Sequence, residues 1–248
     1  MQAAPAEQST YDAIAAQYAQ TQQRPTGGAF SWNHELVIPH LLAVAGAVRG
    51  CTVLDAGCGE GVVARYLAEA GATVVGVDLS TQLIALAQAQ ASSSITYQVH
   101  DLSQPLPQYA NHFDLVVSNL VLNDVANYQG FALTLGAVTK PAGRVILSLT
   151  NPYSAVMREK VESYFDSGAA TPYAWGEGQV YHYHRTMQEY IRAFRAAGLL
   201  LNSLTDVQMT EAMVAKLPAS NHELPWFAMY QRFPFFVILD FVKDGADL

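Results

Sequence analysis

The chain has 248 residues, of which 51% are hydrophobic, so it can bury the core of one larger domain without disulfide or metal staples. Its 13 Lys and Arg residues are outnumbered by 21 Asp and Glu residues, and no basic run is long enough to bind a phosphate backbone. Cys51 and Cys58 have no partner motif for a disulfide framework or a zinc site. We therefore expect a cytoplasmic protein without metal or nucleic-acid partner, acting on small molecules as a monomer or homodimer.

The N-terminal part, residues 1–50, is predicted to be helical and to precede the sheet. Tyr11 to Gln20 and Trp32 to Val48 repeat apolar residues at helical spacing. Met1 to Thr10 lacks the basic region and apolar stretch of a signal peptide. No apolar stretch in the chain reaches the ~20 residues of a membrane-spanning helix, so no membrane association is expected.

From Cys51 onward, β-branched runs alternate with helical periods, which is typical of a parallel sheet covered on both faces. The five strands predicted here are Thr52 to Leu54, Thr73 to Val77, Ile95 to Val99, Phe113 to Ser118 and Arg144 to Leu149. The helices predicted between them are Val62 to Ala70, Asp78 to Ala89 and Gly130 to Thr139, and Pro141 to Gly143 is predicted to be a turn.

The C-terminal third begins with a break in this alternation. Residues 151–181 contain several Gly and Pro residues, and we predict an irregular lid or binding loop without a strand of its own. Thr186 and Glu189 form a capping-box pattern, which predicts a helix ending at Gly198. The last two strands are predicted at Leu199 to Val207 and Phe235 to Val242. No linker is evident, so residues 51–248 are expected to form one core with an insertion at about 151–181.

The segment from Asp55 to Gly61 places glycines at alternate positions between the first strand and the next helix. Such a loop lets the main chain approach a ligand closely, and the helix start presents free N–H groups. A dinucleotide fingerprint would require a third glycine where Val62 stands. Asp55 would also repel a pyrophosphate and attract a cation. The sulfonium and ammonium groups of S-adenosylmethionine suit such a loop.

The stretch from Val53 to Gly61 resembles the first motif of class I S-adenosylmethionine-dependent methyltransferases, and the resemblance extends from about Tyr11 to Val242. It implies a Rossmann-like α/β fold, with a seven-stranded, mostly parallel sheet, one antiparallel strand near the C-terminus and helices on both faces. The implied function is methyl transfer from S-adenosylmethionine to a small, partly apolar acceptor, with S-adenosylhomocysteine as product. Oxygen, nitrogen and carbon acceptors all remain open.

The resemblance also implies individual cofactor contacts. Asp78 would accept hydrogen bonds from the ribose hydroxyls, and Asp101 would accept one from the adenine amino group. The methionine half would be surrounded by Asp55, Gly57, Cys58, Gly59 and Gly61. The adenine would contact Leu79 and Leu102, and the passage to the methyl group would be lined by Asn119 and Leu120. A lid over the cofactor would be formed by Tyr11 and Tyr18. The alternative for Asp55 and Asp78 is a capping role at a turn or helix start.

A catalytic base is optional in methyl transfer, and His182 and His184 are the candidates for it. In an extended chain the two rings would share a face, and the segment from Tyr183 to Arg185 resembles a Tyr-His-Arg sequence of several small-molecule methyltransferases. The alternative for each histidine is a hydrogen-bonded structural role. The nearby aromatic residues either wall an acceptor pocket or belong to the core: Tyr153, Tyr164, Phe165, Tyr173, Trp175 and Trp226.

Two other functions remain open. A protein with this cofactor pocket can catalyse a pericyclic or cyclisation reaction or only bind a ligand, and a nicotinamide-dependent dehydrogenase is the more distant alternative. Asn119 is followed by Leu120 to Leu122 rather than by the Pro-Pro-Tyr or Pro-Pro-Phe of enzymes that methylate bases or glutamine. This difference agrees with the acidic charge in disfavouring a nucleic-acid substrate.

Overall fold

The computed structural model describes residues 10–22, 31–154, 161–168, 170–175, 178–215 and 231–245. Their main feature is a seven-stranded sheet with the order β3-β2-β1-β4-β5-β9-β8. Strand β9 is antiparallel to both of its neighbours, and the remaining pairs are parallel. The strands are β1 (Thr52–Ala56), β2 (Thr73–Asp78), β3 (Ile95–Val99), β4 (Phe113–Asn119), β5 (Thr139–Thr150), β8 (Leu199–Val207) and β9 (Phe236–Lys243). The predicted fold class is confirmed.

The helices follow the predicted alternation, with shifted boundaries at several ends. A 3-10 turn at Asp12–Ile14 precedes the first helix, and a π-helical turn at Trp32–Val37 precedes the second. The helices are α1 (Ala15–Thr21), α2 (Ile38–Ala45), α3 (Val62–Glu69), α4 (Thr81–Gln88), α5 (Tyr128–Val138), α6 (Met187–Ala196) and α7 (Glu211–Val214). The capping box that predicted α6 is present: Thr186 Oγ1 accepts from the Glu189 N–H, and Glu189 accepts from the Thr186 N–H.

Two local predictions were wrong. The segment 151–181 contains strand β6 (Ala170–Trp175) and most of β7 (Gly178–Tyr183), which pair as an antiparallel two-stranded sheet. By local propensity, the glycines and Pro172 of this segment favour an irregular loop. Each strand of a two-stranded ribbon has one edge outside the pairing, however, and proline is tolerated there. The predicted turn at Pro141 to Gly143 lies inside the bounds of β5, where Ala142 has a φ of 60°.

The core lies on both faces of the sheet. Val53 and Leu54, adjacent in β1, are both fully buried, and they belong to two separate apolar clusters. Successive residues of a strand point to opposite faces, so this pair explains why β1 is apolar throughout. Helices α2 and α3 cover one face, with Leu41 and Leu67, and helices α5 and α6 cover the other.

This arrangement brings the carboxyl ends of β1, β2, β3 and β4 to one edge of the sheet. Asp55 is in register with Gly76 of β2 and with Val117 of β4.

Both cysteines are free thiols. In the described part of the chain, no group of three or more His, Cys, Asp or Glu residues could hold a metal ion. None of the helices in these described residues is both long and apolar enough to span a bilayer.

Candidate active site

The glycine loop after β1 folds back on β2. The N–H groups of Gly57 and Cys58 both donate to the Val77 carbonyl, at 2.7 and 3.0 Å. Gly57 and Gly61 have φ values of 78° and 88°, in the left-handed region that favours glycine. A Cβ atom on Gly61 would lie 2.8 Å from Tyr97 Cζ and closer still to its hydroxyl oxygen. The glycines are therefore required both by the turn and by close packing.

Replacing Gly61 by alanine should destabilise the fold by about 2–3 kcal/mol, from left-handed strain plus the collision with Tyr97. The measurement is urea denaturation at neutral pH. Gly198→Ala is the matched control, because Gly198 has a φ of 76° and nothing within 4 Å of an added Cβ. It should lose only about 1 kcal/mol. Equal losses in the two variants would show that the contact with Tyr97 contributes nothing.

A cavity of about 440 Å³ opens at the carboxyl ends of the strands. Open α/β sheets bind ligands at this edge. Many of the predicted cofactor residues line this cavity: Tyr11, Tyr18, Gly57, Gly59, Asp78, Leu79, Asp101, Leu102, Asn119 and Leu120. Asp55 and Cys58 line a small adjoining cavity of about 20 Å³, together with Gly57 and Gly59. Gly61 lines neither of these two cavities and stands instead at the N-cap of α3.

Asp78 and Asp101 each combine a local structural role with exposure to the cavity. Asp78 accepts from the N–H groups of Ser80 and Gly59, both at 2.8 Å, and Asp101 accepts from Ser103 N–H at 2.8 Å. Burial raises the pKa of Asp78, and these two N–H groups oppose the rise. A carboxylate has about four lone-pair sites, so each residue keeps acceptor capacity for a ligand. The predicted ribose and adenine contacts therefore fit the chemistry of these residues.

Asp55 and Glu60 face the small cavity with unsatisfied oxygens. Asp55 is 1% exposed, and neither its Oδ2 nor Glu60 Oε1 has a hydrogen-bond partner in the described part of the chain. Burial raises the pKa of Asp55 to about 7, against the lowering effect of the Ala64 N–H. Glu60 Oε2 is paired with Arg65 at 2.6 Å. Two unsatisfied buried carboxylate oxygens suit a positively charged group such as the methionine ammonium of S-adenosylmethionine.

Asn119 lines both cavities, and its side chain is also hydrogen-bonded within the protein. Its Nδ2 donates to Asn33 Oδ1 at 2.8 Å, and its Oδ1 accepts from Ser148 at 2.7 Å. Asn33 in turn donates to Gln22 at 2.8 Å. This chain of amides ties both N-terminal helical segments to the end of β4.

Two acidic residues hold the N-terminal segment over the large cavity. The Tyr11 hydroxyl donates to Asp124 Oδ2 at 2.7 Å, and Asp12 accepts from Ser80 Oγ at 2.5 Å. The rings of Tyr11 and Tyr18 meet edge to face, with centroids 5.2 Å apart. Burial, and then the Asp124 carboxylate, raises the pKa of Tyr11, so this phenol remains a proton donor at neutral pH.

The two candidate histidines have different hydrogen-bonding surroundings. His182 Nε2 lies 3.0 Å from Asp124 Oδ1. His184 is 1% exposed, and its Nε2 lies 2.8 Å from the Tyr164 carbonyl oxygen. The described lining of the large cavity includes Asp124 but not His184. The structure thus brings His182, but not His184, to a residue of the cavity wall.

Asp124 and Arg185 are the site residues that sequence reasoning missed. Arg185 is 3% exposed and donates to the carbonyls of Leu122, Val125 and Ala126, at 3.3, 2.6 and 2.8 Å. It therefore holds the loop that carries Asp124. The available signal for Asp124 was its position shortly after β4, because the loop after a strand also belongs to the ligand-binding edge.

The predicted aromatic wall is only partly described. Tyr153 stacks on Tyr164 with centroids 4.8 Å apart, and Phe165 is 81% exposed. None of these three is among the described residues that line the large cavity, whereas Tyr181 and Tyr183 are. Trp226 lies outside the described residues, and the side chains of Tyr173 and Trp175 belong to a part of β6 that is described by its backbone alone.

Comparison with known proteins agrees with this geometry. Residues 54–147 match the family model of a methyltransferase domain. A solved S-adenosylmethionine-dependent methyltransferase from Mesorhizobium loti aligns with 83% of this chain and 96% of its own, with a TM-score of 0.64 and 24% identity. The cyclase SpnF aligns with 99% of this chain and 100% of its own, with a TM-score of 0.66 and 18% identity. Both likenesses show the fold.

Curated relatives match a shorter length of this chain than the solved structures do. A ubiquinone biosynthesis O-methyltransferase from Coxiella burnetii is 36% identical over 107 residues, which cover 42% of this chain and 45% of the relative. A demethylmenaquinone methyltransferase from Tropheryma whipplei is 33% identical over 104 residues, covering 41% of this chain and 43% of the relative. The chain thus spans less than half the length of the curated relatives that it matches.

Proposed function

We propose that this chain binds S-adenosylmethionine and transfers its methyl group to a small, partly apolar acceptor. The observation that carries the proposal is the cavity at the ends of β1 to β4, which Asp78 and Asp101 line together with Gly57 and Gly59 of the glycine loop. When bound, S-adenosylmethionine supplies an electrophilic methyl group on a positively charged sulfur. The methyltransferase domain match over residues 54–147 supports the same cofactor.

The residues of the chain would divide the work of binding and water exclusion. Asp78 and Asp101 would bind the adenosine half through charge-assisted hydrogen bonds. Asp55 and the glycine loop would surround the methionine half. Tyr11 and Tyr18, on the 1–50 segment, would act as a lid that excludes water and orients the reactants. The insertion at about 151–181 would cover the acceptor.

An acceptor that carries a proton on its nucleophilic atom requires a group to remove it. His182 and Asp124 are the pair best placed for this role, since Asp124 lines the cavity and His182 Nε2 lies 3.0 Å from it. We propose a structural role for His184, whose ring contacts Tyr164. Nitrogen, oxygen and carbon acceptors all remain compatible with the cavity.

His182→Gln should therefore lower turnover by ~10²-fold or more if a base is used, with little change in S-adenosylhomocysteine affinity. His184→Gln should mainly lower thermal stability, because it removes a buried contact away from the cavity. The measurements are the pH dependence of turnover, cofactor calorimetry and thermal denaturation for both variants. A pH profile unchanged in His182→Gln but altered in His184→Gln would reverse the assignment.

The proposed activity is tested by calorimetry followed by a transfer assay. S-adenosylmethionine and S-adenosylhomocysteine should bind, and NADH should not. Labelled S-adenosylmethionine is then incubated with a panel of phenols, amines and carboxylates, and a methylated product supports the proposal. Tight cofactor binding without transfer to any of them would favour the alternative of a repurposed fold. NADH binding in place of S-adenosylmethionine would favour a dehydrogenase.

A further inference from the structure

The large cavity has an acidic wall. Asp78, Asp101 and Asp124 line it, and none of its described lining residues is a Lys or Arg. The proposed cofactor uses the first two of these carboxylates for its adenosine half. Asp124 is left for another ligand group, and this step of the inference rests on the proposed function.

Asp124 lies where the lid, the loop after β4 and strand β7 meet. Tyr11 contacts it from the lid, and the N–H of Tyr183 in β7 donates to the Asn123 carbonyl at 2.7 Å. Tyr11, Val121, Tyr181 and Tyr183 line the cavity together with Asp124. This part of the wall combines a carboxylate with aromatic rings, and we assign it to the acceptor.

The negative charge of Asp124 is incompletely compensated within the protein. Its side chain is 17% exposed, and its Oδ2 accepts from Tyr11. Its Oδ1 is buried and has no hydrogen-bond partner in the described part of the chain, although His182 Nε2 lies 3.0 Å away. Among the described residues, no Lys or Arg side chain forms an ion pair with Asp124. Arg185, the nearby cation, is committed to three main-chain carbonyls.

A ligand cation would satisfy this group better than a neutral or anionic one. An ammonium donates charge-assisted hydrogen bonds to a carboxylate, whereas a ligand carboxylate would place like charges together. The faces of tyrosine rings also attract cations. One face of Tyr183 is covered by Arg185, at 5.0 Å from the ring centroid, and the ring of Tyr181 also lines this part of the cavity.

We propose that the acceptor is an amine, which enters the cavity as a cation and is recognised by Asp124. The quinone-pathway names of the curated relatives do not decide this point, because their identity extends over 107 and 104 residues of the chain. The proposed recognition concerns binding alone, so it can be measured without turnover.

The test compares three probes of similar shape on the full chain saturated with S-adenosylhomocysteine: phenethylamine, 2-phenylethanol and phenylacetate. Their dissociation constants are measured by ligand-observed NMR titration at neutral pH. The amine should bind at least ~10-fold more tightly than the alcohol, and phenylacetate should bind most weakly of the three. Asp124→Asn should remove the preference for the amine, while its amide oxygen can still accept from Tyr11. Asp206→Asn, with the same loss of charge at an exposed position of β8, should keep the preference.

The outcomes separate this inference from the proposed function. If S-adenosylhomocysteine binds but the alcohol or phenylacetate binds more tightly than the amine, the amine assignment is overturned and the cofactor proposal stands. An amine preference that survives in Asp124→Asn overturns the role of Asp124. If the protein binds neither S-adenosylhomocysteine nor S-adenosylmethionine, both proposals fail. The ranking on the unaltered chain decides the amine assignment even if the Asp124 variant does not fold.

Discussion

Replacing Asp78 by alanine should weaken S-adenosylhomocysteine binding by on the order of 2–4 kcal/mol, because two charge-assisted hydrogen bonds to the ribose would be lost. The structure adds a second reason for a large effect. Asp78 also accepts from the N–H of Gly59 at 2.8 Å, so its removal loosens the glycine loop itself. Isothermal titration calorimetry on the variant and the unaltered chain measures the difference.

Asp78→Asn separates the two contributions. The amide oxygen can still accept from one main-chain N–H, but the charge is gone, so the affinity should fall between those of the unaltered chain and Asp78→Ala. Asp206→Asn serves as the control for a change in net charge, since Asp206 is exposed on β8. Unchanged affinity in Asp78→Ala would remove Asp78 from the cofactor site.

Asp55→Asn should make the protein more stable at pH 8 than the unaltered chain, with an advantage that shrinks as the pH falls towards 4. Burial raises the pKa of Asp55 from 3.8 to about 7, so the folded state holds a proton that the unfolded state releases. Stability is therefore lost as the pH rises from 3.8 to about 7 and is constant above that. At 1.36 kcal/mol per pH unit the loss approaches about 4 kcal/mol as an upper bound. Urea denaturation at several pH values measures it.

Asp114→Asn is a control of opposite sign. The hydrogen bond from Lys140 lowers the pKa of Asp114 to about 2, with a further lowering by the Thr52 N–H. Its stabilising contribution is present above the unfolded pKa and is lost as the pH falls through the folded pKa, so Asp114→Asn should be less stable at neutral pH. If Asp55→Asn shows the same pH dependence of stability as the unaltered chain, the raised pKa of Asp55 is wrong.

Asp55 should also distinguish S-adenosylmethionine from S-adenosylhomocysteine. An ionised Asp55 is stabilised by a positive ligand, and S-adenosylmethionine carries a sulfonium that S-adenosylhomocysteine lacks. The ratio of their affinities should therefore shift towards S-adenosylhomocysteine in Asp55→Asn. Calorimetry with both ligands on both proteins measures this ratio.

Local patterns predicted the sheet and the glycine loop well. The seven strands of the main sheet were recognised because β-branched runs and helical periods are set by neighbours a few residues apart. The helix at Thr186 followed from a capping box of the same short range. The hairpin of β6 and β7 was not predicted. Its strands form because residues such as Pro172 and Tyr181 pair across the hairpin, and local propensity does not reveal that pairing.

Ligands of open α/β sheets bind at the carboxyl ends of the parallel strands, and this rule predicted that Asp78 and Asp101 lie at one edge of the sheet. Their actual roles in the cofactor site remain predictions. The rule was weaker for side chains beyond the strand ends, where the conformation of each loop decides the direction of the side chain. For this reason Asp124 was missed, although it follows β4 closely.

The sequence by itself determined the order of elements, the acidic glycine loop and the resemblance that they carry, since each of these depends on short stretches of chain. Only the tertiary structure decided which distant residues meet. Tyr11 reaches Asp124 across 113 residues, and His184 turns to Tyr164 rather than to the cavity. Such contacts depend on how the lid, the loop after β4 and the β6–β7 hairpin close on one another, and no local pattern encodes that closure.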